Sequence, residues 1–163
     1  MSVALGMTMS ILGYNAWMFG NAVKDVSAEQ AGFRVKDNTN AFDRLAGHVV
    51  VARHGMGGLV KIEMPELPWG SFAEFGMGTQ FDDERECASL GDIAEKFNDV
   101  SAVLMANFPQ VSDDVLASPS PFPIPGEGQT MQDLLAFLTM HETYHIGQLG
   151  LLKKCMSGAS IMA

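Results

Sequence analysis

The sequence predicts an all-α fold, a four-helix bundle in a single domain over residues 1–163. Three observations predict it. Apolar residues recur at helical spacing over four separate stretches. Three of those stretches open on a residue able to cap a helix, and breakers follow. No run shows the period-two alternation of a strand, and no internal repeat or linker divides the chain. With 163 residues, 47% apolar and 18% charged, the chain has the composition of a globular protein with one sizeable core.

In the first stretch Leu5, Met9, Leu12, Ala16, Phe19 and Val23 follow a 4-3-4-3-4 spacing, a stripe that packs on other helices. A second apolar row, Met7, Ile11, Tyr14 and Met18, marks this helix for burial on more than one face, which a bundle plus a subunit contact explains. A homodimer is therefore expected. No charge precedes Lys24, and about 20 residues suffice to cross a bilayer. Asn15, Asn21, Ser10, Thr8 and three glycines oppose insertion, so no membrane span is expected. The leading "MSVALGMTMS" lacks the basic start of a secretory signal.

The second helix is expected to open at "NTNAFD", with Asn40 as cap and Asp43 at the third helical position. It runs through Phe42, Leu45, Val49, Ala52, Met56 and Leu59 and ends among Gly57, Gly58 and Pro65. The third opens at Ser89 with Asp92 three residues on, continues through Leu90, Ile93, Phe97, Val100 and Leu104, and stops at Pro109. The fourth opens at Thr130 with Asp133 in capping-box position. It closes with Lys153 and Lys154 at its negative dipole end and Gly158 beyond. The connection "MPELPWGSFAEFGMGTQFDDERE" is long and rich in glycine and aromatics. The connection "SPSPFPIPGEG", with four prolines, cannot be helical. Two long connections prevent all neighbours from being simple antiparallel hairpins.

Ten basic against 19 acidic residues give a formal charge of −9, which repels phosphate backbones and excludes nucleic acid as a partner. Cys87 and Cys155 are too far apart for a CxxC motif. They read as buried or bystander thiols in a reducing cytoplasm.

The run "LLAFLTMHETYHIGQLGLLKK", residues 134–154, sets His141 and His145 four apart in an apolar context. At about 100° per residue, Leu134, Leu138, His145 and Leu152 lie within roughly 60° of His141, so both rings are expected on the centre of the buried stripe. Imidazole there is costly unless its nitrogens are satisfied, and two at this spacing aim at one point, as metal ligands do. A third ligand from another helix must be His48 or His54. His48 lies roughly 70° from its stripe's centre, at the edge of the buried face, whereas His54, at about 165°, faces solvent. Three neutral imidazoles leave a divalent ion its charge and an open position, the arrangement of a catalytic site. Zinc, nickel, iron and manganese all accept such ligands.

His141-Glu142-Thr143-Tyr144-His145 also fits H-E-x-x-H. The extended peptidase patterns need Gly at 148 and His at 151, where this chain has Gln148 and Leu151, and no acidic residue follows His145. A zincin-type metallopeptidase is thus the least favoured reading. Glu142 is expected to pair with the bundle interior or rim, though it also lies within reach of metal-bound water.

Three segments resemble the DinB/YfiT-like superfamily of helical-bundle metalloproteins. "HETYHIGQLGLLKK" is similar to the closing helix, "LAGHVVVAR" to the second-helix segment that supplies the first ligand, and "YNAWMFGNAV" to the opening Tyr-Asn-x-Trp segment. The resemblance implies a crossed-over bundle topology, a divalent metal on His48, His141 and His145, and frequent homodimers. It also implies kinship with thiol-dependent transferases and isomerases that use low-molecular-weight thiols. The expectation is a metal-dependent enzyme of thiol S-transferase or hydrolase type acting on a small-molecule substrate. The rival is a non-enzymatic metal-binding or stress-sensing bundle.

Overall fold

A computed structural model describes residues 3–69, 88–126 and 128–163. The fold of these residues is all-α. The long helices are α1 (Val3–Val23), α3 (Phe42–Leu59), α4 (Leu90–Asn107) and α6 (Met131–Ser157), and the short ones are α2 (Ala28–Ala31) and α5 (Asp113–Ala117). No strand occurs among the described residues, only an isolated bridge between Pro119 and Thr130. No helix among them is long and apolar enough to cross a membrane.

The caps explain most boundaries. Ser89 accepts the Asp92 N–H to open α4, and Thr130 and Asp133 form a reciprocal capping box on α6. Gly158, at φ 73°, closes α6 in the left-handed conformation that glycine takes without strain. The opening of α3 differs from expectation. Ala41, not Asn40, stands at the cap position with no side-chain bond, and Asp43 instead accepts the N–H of Arg44. After α4 the chain tightens into a 3-10 turn, Phe108–Gln110, which accommodates Pro109. The two short helices escape the periodicity test because they hold only one turn each. Their signals are the Ser27–Gln30 capping box and the Ser112 cap.

The four long helices pack as a ring in which α1 and α3 each touch both α4 and α6. Leu12, Phe19, Val49, Met56, Phe97, Leu104 and Ile146 fill its interior, and Phe19 of α1 stacks on Phe97 of α4 with centroids 3.9 Å apart. The tail after α6 folds back, burying Ile161 against Gly150 while Asn21 donates to the Ile161 carbonyl. A Cβ on Gly150 would stand 2.6 Å from Ile161 Cδ1, so this position suits a residue without one. On α1 the stripe of Leu5, Leu12 and Phe19 is buried; of the second row Met7, Ile11 and Tyr14 are exposed, as is Trp17, whereas Met18 is partly buried against the core.

At the ring's centre is a charged residue that periodicity does not reveal. Arg53 of α3 is fully buried and reaches every other long helix. It forms a paired contact with Glu142 of α6, donating from Nε at 2.8 Å and Nη2 at 2.6 Å. It also donates to Ser101 Oγ of α4 at 2.7 Å and to the Leu12 carbonyl of α1 at 2.8 Å. Its guanidinium carbon lies 4.5 Å from the Phe97 ring centre. Asn15 of α1 adds a donor to Glu142 at 2.9 Å. A guanidinium and a carboxylate are tolerated inside a core only with this degree of satisfaction.

Candidate metal centre

The Arg53–Glu142 pair sets the rotation of α6, and with it the direction of the histidines. The buried face of α6 runs through Met131, Leu134, Leu135, Thr139, Glu142, Ile146, Leu149, Leu152 and Lys153. Its centre is therefore roughly 95° around the helix from His141 and about 55° from His145, which corrects the expectation that both imidazoles occupy the middle of the stripe. Both rings sit half-buried at its edge. The physical reason is that Arg53 supplies the countercharge that lets Glu142 take the central position. Glu142 is thus the interior partner expected of it. Fully buried and bound to Arg53 and Asn15, it presents no free carboxylate to act as the base of a peptidase.

His48, also half-buried, faces this edge from α3. The three histidines form one cluster in which one ligand atom of each lies within 4.8 Å of the others. Ring centroids are 4.4 Å apart for His141 and His145, 4.7 Å for His48 and His145, and 5.3 Å for His48 and His141. The sequence expectation of these three residues as one constellation matches their placement. His54 is only half-buried, not facing solvent as expected, and its Nε2 lies 3.0 Å from the Pro65 carbonyl. The chain after α3 turns back over it there. It is not part of the cluster.

The geometry suits a metal ion. The Nε2 atoms of His141 and His145 are 3.0 Å apart, close to the ~3.3 Å between two nitrogens bound tetrahedrally at ~2.05 Å. His145 Nδ1 lies 2.7 Å from Gln148 Oε1, the outer contact that ligating histidines usually make. Burial, then the neighbouring His145 and His48, push the His141 imidazole down to about 4. Burial lowers His145 as well, partly opposed by Gln148. Neutral rings with available lone pairs are the form that binds a metal. Among the described residues no carboxylate or thiol joins the three imidazoles as a fourth ligand. Cys155 is exposed on α6 as a free thiol. Cys87 and most of the "PWGSFAEFGMG" loop lie outside the described residues.

The family profile of the DinB superfamily matches residues 18–149, and the chain belongs to that superfamily. The matched span includes His48, His141, His145 and Gln148 but starts after Tyr14, Asn15 and Trp17. No curated protein compared with the chain matches it. DinB membership, the all-α fold and the three-histidine group are together compatible with metal binding.

Sequence reasoning missed Arg53. Its signal was available: in "HVVVARHG" a lone arginine sits on a face between Val49 and Met56, where an apolar residue is expected. Glu142 offered the complementary charge on another helix.

Proposed function

We propose that His48, His141 and His145 hold a divalent metal ion and that the protein is a metal-dependent enzyme acting on a small molecule, of thiol S-transferase or hydrolase type. The observation that carries this reading is three half-buried imidazoles, converging from two helices, that leave coordination positions unfilled. A divalent ion held by His48, His141 and His145 would supply Lewis acidity, the chemistry that activates a thiol or water at neutral pH. The chain's own part is to hold His141 and His145 neutral by burial, to aim the three rings at one point, and to keep Glu142 out of the coordination sphere by pairing it with Arg53. All three histidines are only partly buried, which fits a site a small molecule can reach. An exposed free thiol at Cys155 fits a reducing, cytoplasmic setting.

The test is bound metal per chain in untagged protein and in four single variants. His48→Ala, His141→Ala and His145→Ala are expected to lose most of the ion while keeping the helical circular dichroism signal. His54→Ala is expected to retain it. If His54→Ala loses the ion and His48→Ala keeps it, the ligand assignment is wrong. Metal-loaded protein then goes into a screen of low-molecular-weight thiols with electrophiles and of hydrolysable esters and amides. Background rates throughout would overturn the enzymatic reading.

We also propose a homodimer through the outer faces of α1 and α6. Met7, Ile11 and Tyr14 of α1 and Met140 and Tyr144 of α6 are exposed, although large and apolar or aromatic. A groove of about 700 Å³ runs between the two helices, walled by several of them. Residues 3–23 carry no charge, so the α1 side of this face brings no like charges together when two copies, each at −9, approach, and Asp133 is the acidic residue in the groove wall. A second copy related by a two-fold axis would cover both rows at once.

A further inference from the structure

The side chain of Gln148 bridges two neighbours on the surface of α6, and its two ends do different things. It is three residues from His145 and four from Tyr144, the spacings at which helix side chains meet. Its oxygen lies 2.7 Å from His145 Nδ1, and its nitrogen donates to the Tyr144 hydroxyl oxygen at 3.0 Å. The Tyr144 ring stands edge-on to His145, with centroids 5.1 Å apart at 67°.

We propose that Gln148 is a positioning residue: its carboxamide oxygen holds His145 as the Nδ1–H tautomer, so that the Nε2 lone pair is presented to the point shared with His141. The inference rests on the metal-centre reading and deepens it. A neutral imidazole carries one proton, and the nitrogen without it is the one that can bind a metal. Were the carboxamide reversed, its N–H would donate to Nδ1, the ring proton would move to Nε2, and the nitrogen facing His141 would have no lone pair to offer. In the observed orientation the Tyr144 oxygen accepts from the carboxamide nitrogen, which anchors the far end of the side chain. His141 provides the contrast. Its Nδ1 is buried without a hydrogen-bond partner among the described residues, and its Nε2 meets only His145 Nε2, at 3.0 Å, so no partner outside the cluster sets its tautomer. Of these two α6 ligands, His145 is the pre-set one, and the Gln148 oxygen sets it. This is the role of an outer partner to a ligating histidine, whose loss ordinarily weakens metal affinity by about 10–100-fold.

The test has two readouts on the full chain. Long-range ¹H–¹⁵N correlation on metal-free, ¹⁵N-labelled protein reads the His145 tautomer directly. Competition with a chromophoric chelator reads Zn²⁺ affinity. Wild-type protein is expected to show Nδ1–H at His145. Gln148→Leu is expected to move the proton predominantly to Nε2 and to lower Zn²⁺ affinity about 10–100-fold, with unchanged helicity. Gln148→Glu, which retains an acceptor oxygen, is expected to keep the tautomer and the affinity, a rescue that mere packing would not produce. Tyr144→Phe, which keeps the ring and removes the anchor on the carboxamide nitrogen, is expected to keep the tautomer and give a smaller loss of affinity. The two readings fail separately. Wild-type protein that takes up none of zinc, nickel, iron(II) and manganese overturns the metal centre, while Nδ1–H unchanged in Gln148→Leu overturns the clamp whatever the metal result.

Discussion

A single arginine shows how much one residue can decide in this bundle. Arg53 and Glu142 are both fully buried, and each is tolerable only because of the other and of Asn15, Ser101 and the Leu12 carbonyl. Arg53→Leu leaves a carboxylate in the core without its countercharge and is expected to cost about 3–5 kcal/mol in urea denaturation. Arg53→Leu with Glu142→Leu is expected to recover most of that loss, because removing both charges removes the desolvation penalty with them. A double variant no more stable than the single one would show that the pair is not the source of the effect. The histidines give a second residue-scale prediction. In metal-free protein His141 titrates near 4 when folded, against 6.5 for the ordinary group. Between those values the unfolded chain binds the extra proton, so this contribution is complete above about pH 6.5 and is lost as the pH falls toward 4. The unfolding midpoint of metal-free wild type is expected to drop across that window more than that of His141→Ala.

Among the elements, α6 carries the most structure per residue. It has a reciprocal cap at its start, a glycine at its end and the ligand pair in between. Thr130→Ala removes the capping hydroxyl and is expected to cost about 1 kcal/mol, with no change in metal content because His141 lies well inside the helix. Lys153 belongs to a different element than its position suggests. The sequence places it at the negative end of its own helix, but its Nζ is directed at α1, donating at 2.6 Å to the carbonyls of Asn21 and Lys24. It is a cap supplied from α6 to the C-terminal end of α1, where carbonyls lack intrahelical partners and the dipole favours a cation. Lys153→Met keeps the aliphatic stem and is expected to lose up to about 2 kcal/mol by thermal or urea unfolding. Lys154→Met, exposed one residue on, is the control and is expected to change little.

At the scale of the whole molecule, the exposed row on α1 and the groove beside α6 make a concentration-dependent prediction. Sedimentation at micromolar concentration is expected to show a dimer for wild type and a monomer for Ile11→Glu, which places a charge on the uncharged α1 side of the face. Ile11 is 41% exposed, so the monomer is expected to keep its fold and its metal. A wild-type monomer at micromolar concentration would remove the proposal.

Helix identity, three of the principal starts and ends, and the grouping of His48 with His141 and His145 were legible in the sequence because each is a local property. Apolar spacing, a capping oxygen or a terminal glycine acts within a few residues, and i, i+4 histidines share a direction wherever the helix goes. The cap on α3 was misread because Asn40 and Ala41 compete for one position, and their neighbours do not decide between them. What only the tertiary structure decided is the rotation of α6. Apolar spacing set the two histidines at mid-stripe, whereas an ion pair 89 residues apart in sequence turned Glu142 inward and left the imidazoles at the rim. The cost of burying a carboxylate depends on whether a guanidinium waits at that point in space, and no stretch of α6 encodes what stands on α3.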